Sequence, residues 1–130
     1  MTSKERRIAV KKILDDPQTK EKFYYEMKPG TFSPMITVCL LKDKDQRIGK
    51  GIAICSDSES GARKIRGRGY ARQRAANALA FEGNSESVLR EEAIKILELC
   101  DSHLKNNSDI YKSFYNPILT DLERKILKFK

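Results

Sequence analysis

Two apolar segments joined by four polar residues constrain the fold of this chain more than any other feature. The segments MITVCLLK and RIGKGIAICS are rich in β-branched residues, and DKDQ between them is short and polar. β-Branched side chains favour strands, and a short polar connection favours antiparallel pairing. The sequence therefore predicts a central antiparallel hairpin over residues 35–56.

The segments before the hairpin predict a helix and another strand. SKERRIAVKKILDDP has helical periodicity, and Pro17 provides a stop. Its apolar residues near one helical face are Ile8, Ile13 and Leu14. EKFYYEMK is aromatic enough for a strand, and PGTFSP predicts a turn or loop because two prolines and a glycine interrupt regular structure.

The segment after the hairpin carries the largest charge imbalance of the chain. Residues 61–80 contain six basic and no acidic side chains, while the whole chain has a net charge of +8. A local excess of one sign predicts a focused positive potential and an anionic partner. The alanine-rich run YARQRAANALAF predicts a helix over 62–81 in spite of Gly67 and Gly69, with Ser60 as its cap.

That helix would have one face for packing and another for binding. Its packing face consists of small residues at 67, 71, 75 and 78, with Leu79. The other face places Arg63, Arg66, Tyr70, Arg74 and Asn77 roughly in line. Arginine matches phosphate oxygens and tyrosine offers a flat surface for a base, so this face predicts a nucleotide site. The alternative is a solvated basic face with Tyr70 packed on the sheet.

The candidate ligand contacts follow from this placement. The predicted phosphate-binding residues are Arg63, Lys64, Arg66, Arg68, Arg72 and Arg74, and the predicted base-contacting residues are Tyr70 and Asn77. Arginine forks, one aromatic ring and one amide are enough to hold a small nucleotide.

The last third of the chain predicts two more helices. SVLREEAIKILELCDSHLKNN has an apolar stripe at amphipathic spacing, consisting of Leu89, Ala93, Ile96, Leu97, Cys100 and Leu104. Its acidic face, with Glu91, Glu92 and Glu98, is either solvated or neutralises the basic helix of the same or a neighbouring subunit. Pro117 is placed to start a final helix carrying Leu119, Leu122, Ile126 and Phe129. That helix either completes the core or mediates oligomerisation, and we favour oligomerisation. Tyr111, Phe114 and Tyr115 before it are expected in the core or an interface, with a base-stacking platform as the alternative.

Together these elements predict an α+β fold, with a small antiparallel sheet packed against helices. A chain of 130 residues is long enough for one domain, 1–130, with its core in 20–105 and a C-terminal helical segment over 110–130. The apolar runs are far shorter than the ~20 residues that span a bilayer. The amino terminus also lacks the apolar core of a signal peptide. We therefore expect a cytosolic protein without a membrane partner.

Cysteine and histidine usage argues against an enzyme. Cys39, Cys55 and Cys100 are far apart among apolar neighbours, without the spacing of a zinc site, which predicts buried reduced thiols. The single histidine, His103 beside Asp101, has no nearby nucleophile pattern. We expect no catalytic residue, no metal and no cofactor.

The order of helix, three strands and helix over residues 3–81 resembles, in outline, a double-stranded RNA-binding domain. In that family, lysines at the start of the second helix contact phosphates across the major groove, and recognition is mostly of shape. In KIRGRGYARQRAANAL the basic residues are spread over more than two turns and interrupted by glycines, and the acidic SDSES precedes them. Like charge would weaken duplex binding there, so nucleic-acid binding through the helix 62–81 is the alternative function.

A second resemblance covers residues 49–79, GKGIAICSDSESGARKIRGRGYARQRAANAL. It is similar to a pattern in small proteins of tailed phages and prophages. In that pattern a strand ending Ala-Ile-Cys-Ser precedes a polar loop, a basic pair with Gly-Arg, and an alanine-rich helix with another arginine. The matching positions are Ala53, Ile54, Cys55, Ser56, Arg63, Lys64, Gly67, Arg68, Arg74 and Leu79. The start of the helix here contains one extra residue relative to that pattern.

Among such proteins the chain resembles the Thoeris anti-defence sponge family. This resemblance implies a non-enzymatic homo-oligomer, located in the host cytosol, that sequesters cyclic nucleotide immune signals such as cyclic ADP-ribose isomers. A small anionic nucleotide is thus the expected ligand. A third hypothesis is a protein-directed inhibitor whose basic patch docks on an acidic surface.

Overall fold

A helix, three strands, two helices, a strand and a helix follow one another in the described part of the chain, which is an α+β arrangement. The computed structural model describes residues 2–27, 29–30, 34–54, 63–85, 91–102, 104 and 110–128. Within these residues the helices are α1 (Ser3–Asp15), α2 (Arg63–Phe81), α3 (Glu91–Leu99) and α4 (Asp121–Lys128). The strands are β1 (Lys20–Met27), β2 (Pro34–Lys42), β3 (Ile48–Ile54) and β4 (Ser113–Tyr115). The predicted fold class is confirmed.

The described strands form one antiparallel sheet in the order β1-β2-β3-β4. β2 and β3 are the predicted hairpin, with Ile36 opposite Ile54. Asp43 holds the turn, because its carboxylate accepts hydrogen bonds from the backbone N–H groups of Asp45 at 3.0 Å and Arg47 at 2.8 Å. An aspartate that bonds its own turn in this way helps to fix the register of the strands on either side.

Helices cover both faces of the sheet. Neighbouring side chains of a strand point to opposite faces. Cys39 and Leu41 of β2 accordingly pack with residues of α1 and α2. Val38 and Leu40 pack instead with residues of α3 and with side chains of α4. The sheet is therefore the middle of three layers, with α1 and α2 on one side and α3 and α4 on the other.

α2 lies unusually close to β3. Its predicted packing face is confirmed, since Gly67, Ala71, Ala75, Ala78 and Leu79 are all buried. A Cβ built on Gly51 would overlap the backbone carbonyl of Ala71 and the backbone nitrogen of Ala75, and one on Gly49 would overlap the carbonyl of Ala75. Helix backbone and strand backbone are thus in direct contact, which requires glycine on the strand and small residues on the helix.

α1 begins and ends as predicted, but its buried face differs. Thr2 caps the helix, with its Oγ1 accepting a hydrogen bond from the Glu5 N–H at 3.1 Å. Ile8 is 48% exposed, so its predicted place on the packing face is wrong. Val10 is buried there instead. Two residues of helix turn by about 200°, which puts Ile8 on the side opposite Val10.

α3 is shorter than the predicted helix. Asp101 adopts a positive φ of 49°, and the Ser102 N–H donates to the Leu97 carbonyl at 3.0 Å. This is the left-handed ending that stops many helices. Leu104 lies beyond the helix but is still buried in the core that α3 covers. Leu89 and His103 lie outside the described residues.

The final helix starts later than predicted. α4 begins at Asp121 rather than at Pro117, because Thr120 caps it: the Glu123 N–H donates to Thr120 Oγ1 at 3.2 Å, and Thr120 N–H donates to Glu123 Oε1 at 3.0 Å. Ile126 packs against the core of the same chain. α4 therefore completes the core, as one of the two sequence interpretations held. Phe129 lies outside the described residues.

β4 was not predicted from the sequence. Its central residue Phe114 packs into the core beneath α3 and α4, while Tyr115 packs on the side of α1 and α2. Tyr111 meets the Phe114 ring edge-on, with 5.6 Å between the ring centroids. Phe114 and Tyr115 are thus partly buried against the two core clusters, as the core interpretation expected, and Tyr111 contacts Phe114.

Two of the three cysteines lie in the described part of the chain. Cys39 is a buried free thiol, and burial raises the pKa of that thiol. Cys100 is also a free thiol but is only partly buried. Cys55 lies outside the described residues. A buried thiol with a raised pKa is mostly protonated and unreactive at neutral pH.

Candidate functional site

The predicted basic helix is present as α2, over Arg63–Phe81, and the predicted first residue, Ala62, lies outside the described residues. Its backbone includes Arg63 and Lys64, whose side chains lie outside the described part of the structure, as do the predicted cap Ser60 and the loop before it. The other six predicted contacts are described. They fall on two flanks of α2, on either side of the face that packs on the sheet.

The first flank is the predicted line of Arg66, Tyr70, Arg74 and Asn77. Arg66 is exposed, and Tyr70, one turn further along, is 59% exposed. Arg74 and Asn77 are half-buried. Side chains three or four residues apart on a helix are neighbours, so the four form one continuous strip. Tyr70 is not packed on the sheet, in contrast to the solvated-face alternative.

Contacts with the sheet fix the position of Arg74. Its guanidinium donates to the Ile52 carbonyl at 2.7 Å and lies 5.4 Å from the centroid of the Tyr70 ring. Because the Ile52 N–H bonds Lys112 just before β4 begins, the Ile52 carbonyl lies at the outer edge of β3. Arg74 thus spans from this sheet edge to an exposed aromatic ring, and it holds a positive charge beside that ring.

The second flank carries Arg68 and Arg72, which face β1. The Arg68 guanidinium lies 4.8 Å from the centroid of the Phe23 ring. Arg72 Nε is 2.5 Å from Glu21 Oε2, in an ion pair that is partly exposed. Burial raises the pKa of Tyr25 nearby, and the Arg68 charge offsets part of this rise. These two arginines have partners within the chain, so they are less available to a ligand than Arg66.

The acidic face of α3 does not meet these arginines. Its residues Glu91 and Glu98 are exposed on the far side of the sheet from α2, and the side chain of Glu92 lies outside the described residues. Within the chain, Glu91 and Glu98 therefore do not neutralise the basic helix, and their exposure fits the solvated-face alternative. Glu21 of β1 takes that role for Arg72.

Sequence reasoning missed a buried polar cluster on the other face of the sheet. Lys50 Nζ lies 2.7 Å from Glu123 Oε2, which also accepts a hydrogen bond from the Tyr24 hydroxyl at 2.8 Å. The side chains of Lys50 and Glu123 are 3% and 0% exposed. The ammonium also lies 5.3 Å from the centroid of the Phe114 ring. The only sequence signal was a lysine amid the apolar residues of a strand, which more often marks a solvent-facing position.

The charges and hydrogen bonds of this cluster give it a structural role. Burial alone raises the pKa of Glu123, but the Lys50 charge and hydrogen bonds from Lys50, Thr120 and Tyr24 together lower it below its usual range. Burial and the Glu123 carboxylate both raise the pKa of Tyr24. The lowered pKa keeps Glu123 ionised, and the raised pKa keeps Tyr24 neutral. Buried as they are, they hold α4 to the sheet and offer no surface for a substrate.

The fold and the α2 strip define a small α+β protein with an exposed arginine and tyrosine surface. Comparisons with protein-family models, with curated proteins and with solved structures gave no match. No helix in the described ranges is both long enough and apolar enough to cross a membrane. Functional inference for this chain therefore depends on its own side chains.

Proposed function

We propose that the protein binds an anionic nucleotide on the strip formed by Arg66, Tyr70, Arg74 and Asn77, and that it does so without catalysing a reaction. The main support for this proposal is the exposed Tyr70 ring beside the Arg74 guanidinium. An exposed aromatic ring offers a stacking surface for a base, and arginine offers paired donors to phosphate. Arg66 supplies a second cation one turn away.

The ligand we propose is a cyclic nucleotide immune signal, such as a cyclic ADP-ribose isomer. A phage-type protein of this kind would sequester the signal, as a homo-oligomer in the host cytosol, and so block anti-phage defence. Support for this finer proposal comes from the sequence resemblance over residues 49–79. Such a ligand combines an adenine with at least two phosphate charges, which matches one ring flanked by two arginines.

Titration calorimetry with cyclic ADP-ribose isomers and cyclic dinucleotides tests the proposal. We expect saturable binding by the native protein and release of unchanged ligand after heat denaturation. Tyr70→Ala should weaken binding about 5- to 150-fold, because stacking on one aromatic ring contributes ~1–3 kcal/mol per base. Arg66→Ala should weaken binding as well, since it removes an exposed cation without disturbing a packing contact.

Two control variants test whether binding depends on the Tyr70 ring and on the position of the positive charge. Tyr70→Phe keeps the ring and should retain most of the affinity. Lys95→Ala removes one positive charge from α3, where the side chain is 73% exposed, and should leave binding unchanged. If Lys95→Ala weakens binding as much as Arg66→Ala does, only net charge matters and the proposed strip is wrong. Absence of binding to every cyclic nucleotide offered would reject the sponge function.

Duplex RNA is the second candidate ligand. The observation in its favour is the element order α1-β1-β2-β3-α2, which the structure contains and which resembles that of a double-stranded RNA-binding domain. Affinity for a duplex should fall by orders of magnitude between low and moderate salt as counterions are released, whereas a compact nucleotide site should be only moderately salt-sensitive. Measuring both ligands at two salt concentrations separates the two functions.

A further inference from the structure

A second basic surface lies between α1 and the turn of the β2-β3 hairpin. Two neighbouring cavities there, of about 570 Å³ and 250 Å³, share Lys44 as a lining residue. The larger one is also lined by Lys11 and Lys12, and the smaller one by Lys20 and Lys42. We call the surface formed by Lys11, Lys12, Lys20, Lys42 and Lys44 the lysine groove.

Three aspartates line the two cavities together with the lysines, Asp15 and Asp16 in the larger one and Asp43 in the smaller one. Asp16 Oδ1 accepts the Gln18 N–H at 2.8 Å. Asp43 accepts two backbone N–H groups of its turn and pairs with Arg47 Nε at 2.8 Å. None of the five lysines forms an ion pair with another residue of the described chain. The lining therefore carries five lysines against three aspartates, one of which pairs with Arg47, so the groove keeps a net positive charge that attracts anions.

The lysine groove is separate from the α2 strip. Arg47 of the hairpin turn pairs with Glu82, just after α2, at 2.7 Å, so the groove lies near the carboxyl end of that helix. Tyr70 is twelve residues before Glu82, which corresponds to about 18 Å along a helix. A mononucleotide-sized ligand on the strip cannot also fill the groove. The two surfaces can accordingly be tested independently.

We propose that the lysine groove binds the phosphate backbone of a nucleic-acid strand. Lysine ammonium groups act as point charges that attract phosphate without geometric selection. Several of them around two adjoining cavities suit a chain of repeated phosphates better than a single anion. No aromatic side chain is among the described residues that line either cavity, so bases would not be stacked there. Binding in the groove is therefore expected to be independent of base sequence.

A strand without bases removes any stacking on Tyr70, so that only phosphate contacts contribute to its binding. The probe is a fluorescein-labelled 20-mer of abasic deoxyribose phosphate, followed by fluorescence anisotropy from 50 to 200 mM KCl. We expect the triple variant Lys11→Ala, Lys12→Ala, Lys44→Ala to lose at least about tenfold in affinity at 100 mM salt. The slope of log affinity against log salt should become shallower by about 2, at ~0.7 for each lost phosphate contact of a single strand.

The matched control removes three lysines from the other side of the sheet. Lys95, Lys125 and Lys128 are exposed on α3 and α4. Their triple alanine variant should lose less than about twofold, and Tyr70→Ala should leave affinity for the abasic strand unchanged. Circular dichroism confirms that each variant is folded. Equal losses in the two triple variants, or no binding of the abasic strand by the native protein at 50 mM salt, would overturn the proposal.

Discussion

Gly49, Lys50 and Gly51 show that neighbouring residues of one strand can meet very different surroundings. The two glycines face α2, where its backbone leaves no space for a Cβ. Lys50, between them, points to the opposite face and enters the ion pair with Glu123. Alternation along a strand puts these two requirements on alternate residues. The short sequence GKG thus contributes both to the docking of α2 and to that of α4.

Gly51→Ala should destabilise the protein by about 3 kcal/mol or more, at the upper end of what overpacking usually costs. The new methyl group would meet the backbone of Ala71 and Ala75, which cannot move aside as a flexible side chain could. Urea denaturation followed by circular dichroism measures the loss.

Gly69→Ala is the matched control on the exposed side of α2. Gly69 is exposed on α2, and a Cβ there would meet nothing within 4 Å. We expect this variant to be more stable than the native protein by about 0.5–1 kcal/mol, because alanine favours a helix over glycine. If both variants shift stability in the same direction, close packing of α2 on β3 is not what selects glycine.

At the scale of elements, α4 shows how a short helix is held in place by one side chain. Glu123 closes the amino-terminal cap of α4 with one carboxylate oxygen and accepts Lys50 and Tyr24 with the other. An isolated helix of eight residues would not be stable in water. Its stability therefore comes from the sheet through this carboxylate, together with the packing of Ile126 and Leu127.

Lys50→Met should destabilise the protein by about 3–5 kcal/mol, because it leaves a buried carboxylate without its partner charge. Adding Glu123→Gln to that variant removes the charge; the amide oxygen can still accept the Thr120 N–H, and the amide NH2 can donate to the Tyr24 hydroxyl oxygen. We expect the double variant to recover at least half of the lost free energy of unfolding, measured by urea denaturation. A double variant as unstable as Lys50→Met alone would show that the charge pair is not what matters.

For the whole molecule, the sheet separates the proposed binding strip on α2 from the buried ion pair of Lys50 and Glu123. The α1 and α2 side carries the arginine and tyrosine strip and the lysines of α1, whereas the α3 and α4 side carries the exposed acids of α3 and the buried ion pair. A ligand bound to α2 would thus be separated from the Lys50–Glu123 ion pair by the thickness of the sheet. Stability and binding can be changed independently.

Acid should destabilise the whole molecule through the buried ion pair. The folded-state pKa of Glu123 is below the usual value of 4.5, so the pair contributes stability above about pH 4.5 and loses it as the pH falls through the folded value. We expect the free energy of unfolding to fall more steeply between about pH 5 and pH 3 in the native protein than in the double variant Lys50→Met, Glu123→Gln. Parallel profiles from urea denaturation at each pH would contradict this assignment.

Local patterns predicted much of this fold. The hairpin, the limits of α1, the packing face of α2 and the α+β class follow from periodicity, small residues and turn chemistry, which act between near neighbours. The ends of α3 and α4 were predicted less well because Asp101 and Thr120 override an apolar stripe that continues past them. The strand β4 is only three residues long, too short for any pattern.

The sequence by itself determined that a cluster of arginines and one tyrosine would share a helix, because helical spacing depends only on the chain. Only the tertiary structure decided which of those residues contact the sheet and which stay exposed. Arg68 and Arg72 turn to Phe23 and Glu21, while Tyr70 stays exposed beside Arg74, since the closeness of α2 to β3 sets which flank lies over which strand. The pairing of Lys50 with Glu123 is likewise tertiary, because it joins residues 73 positions apart that no local interaction could bring together.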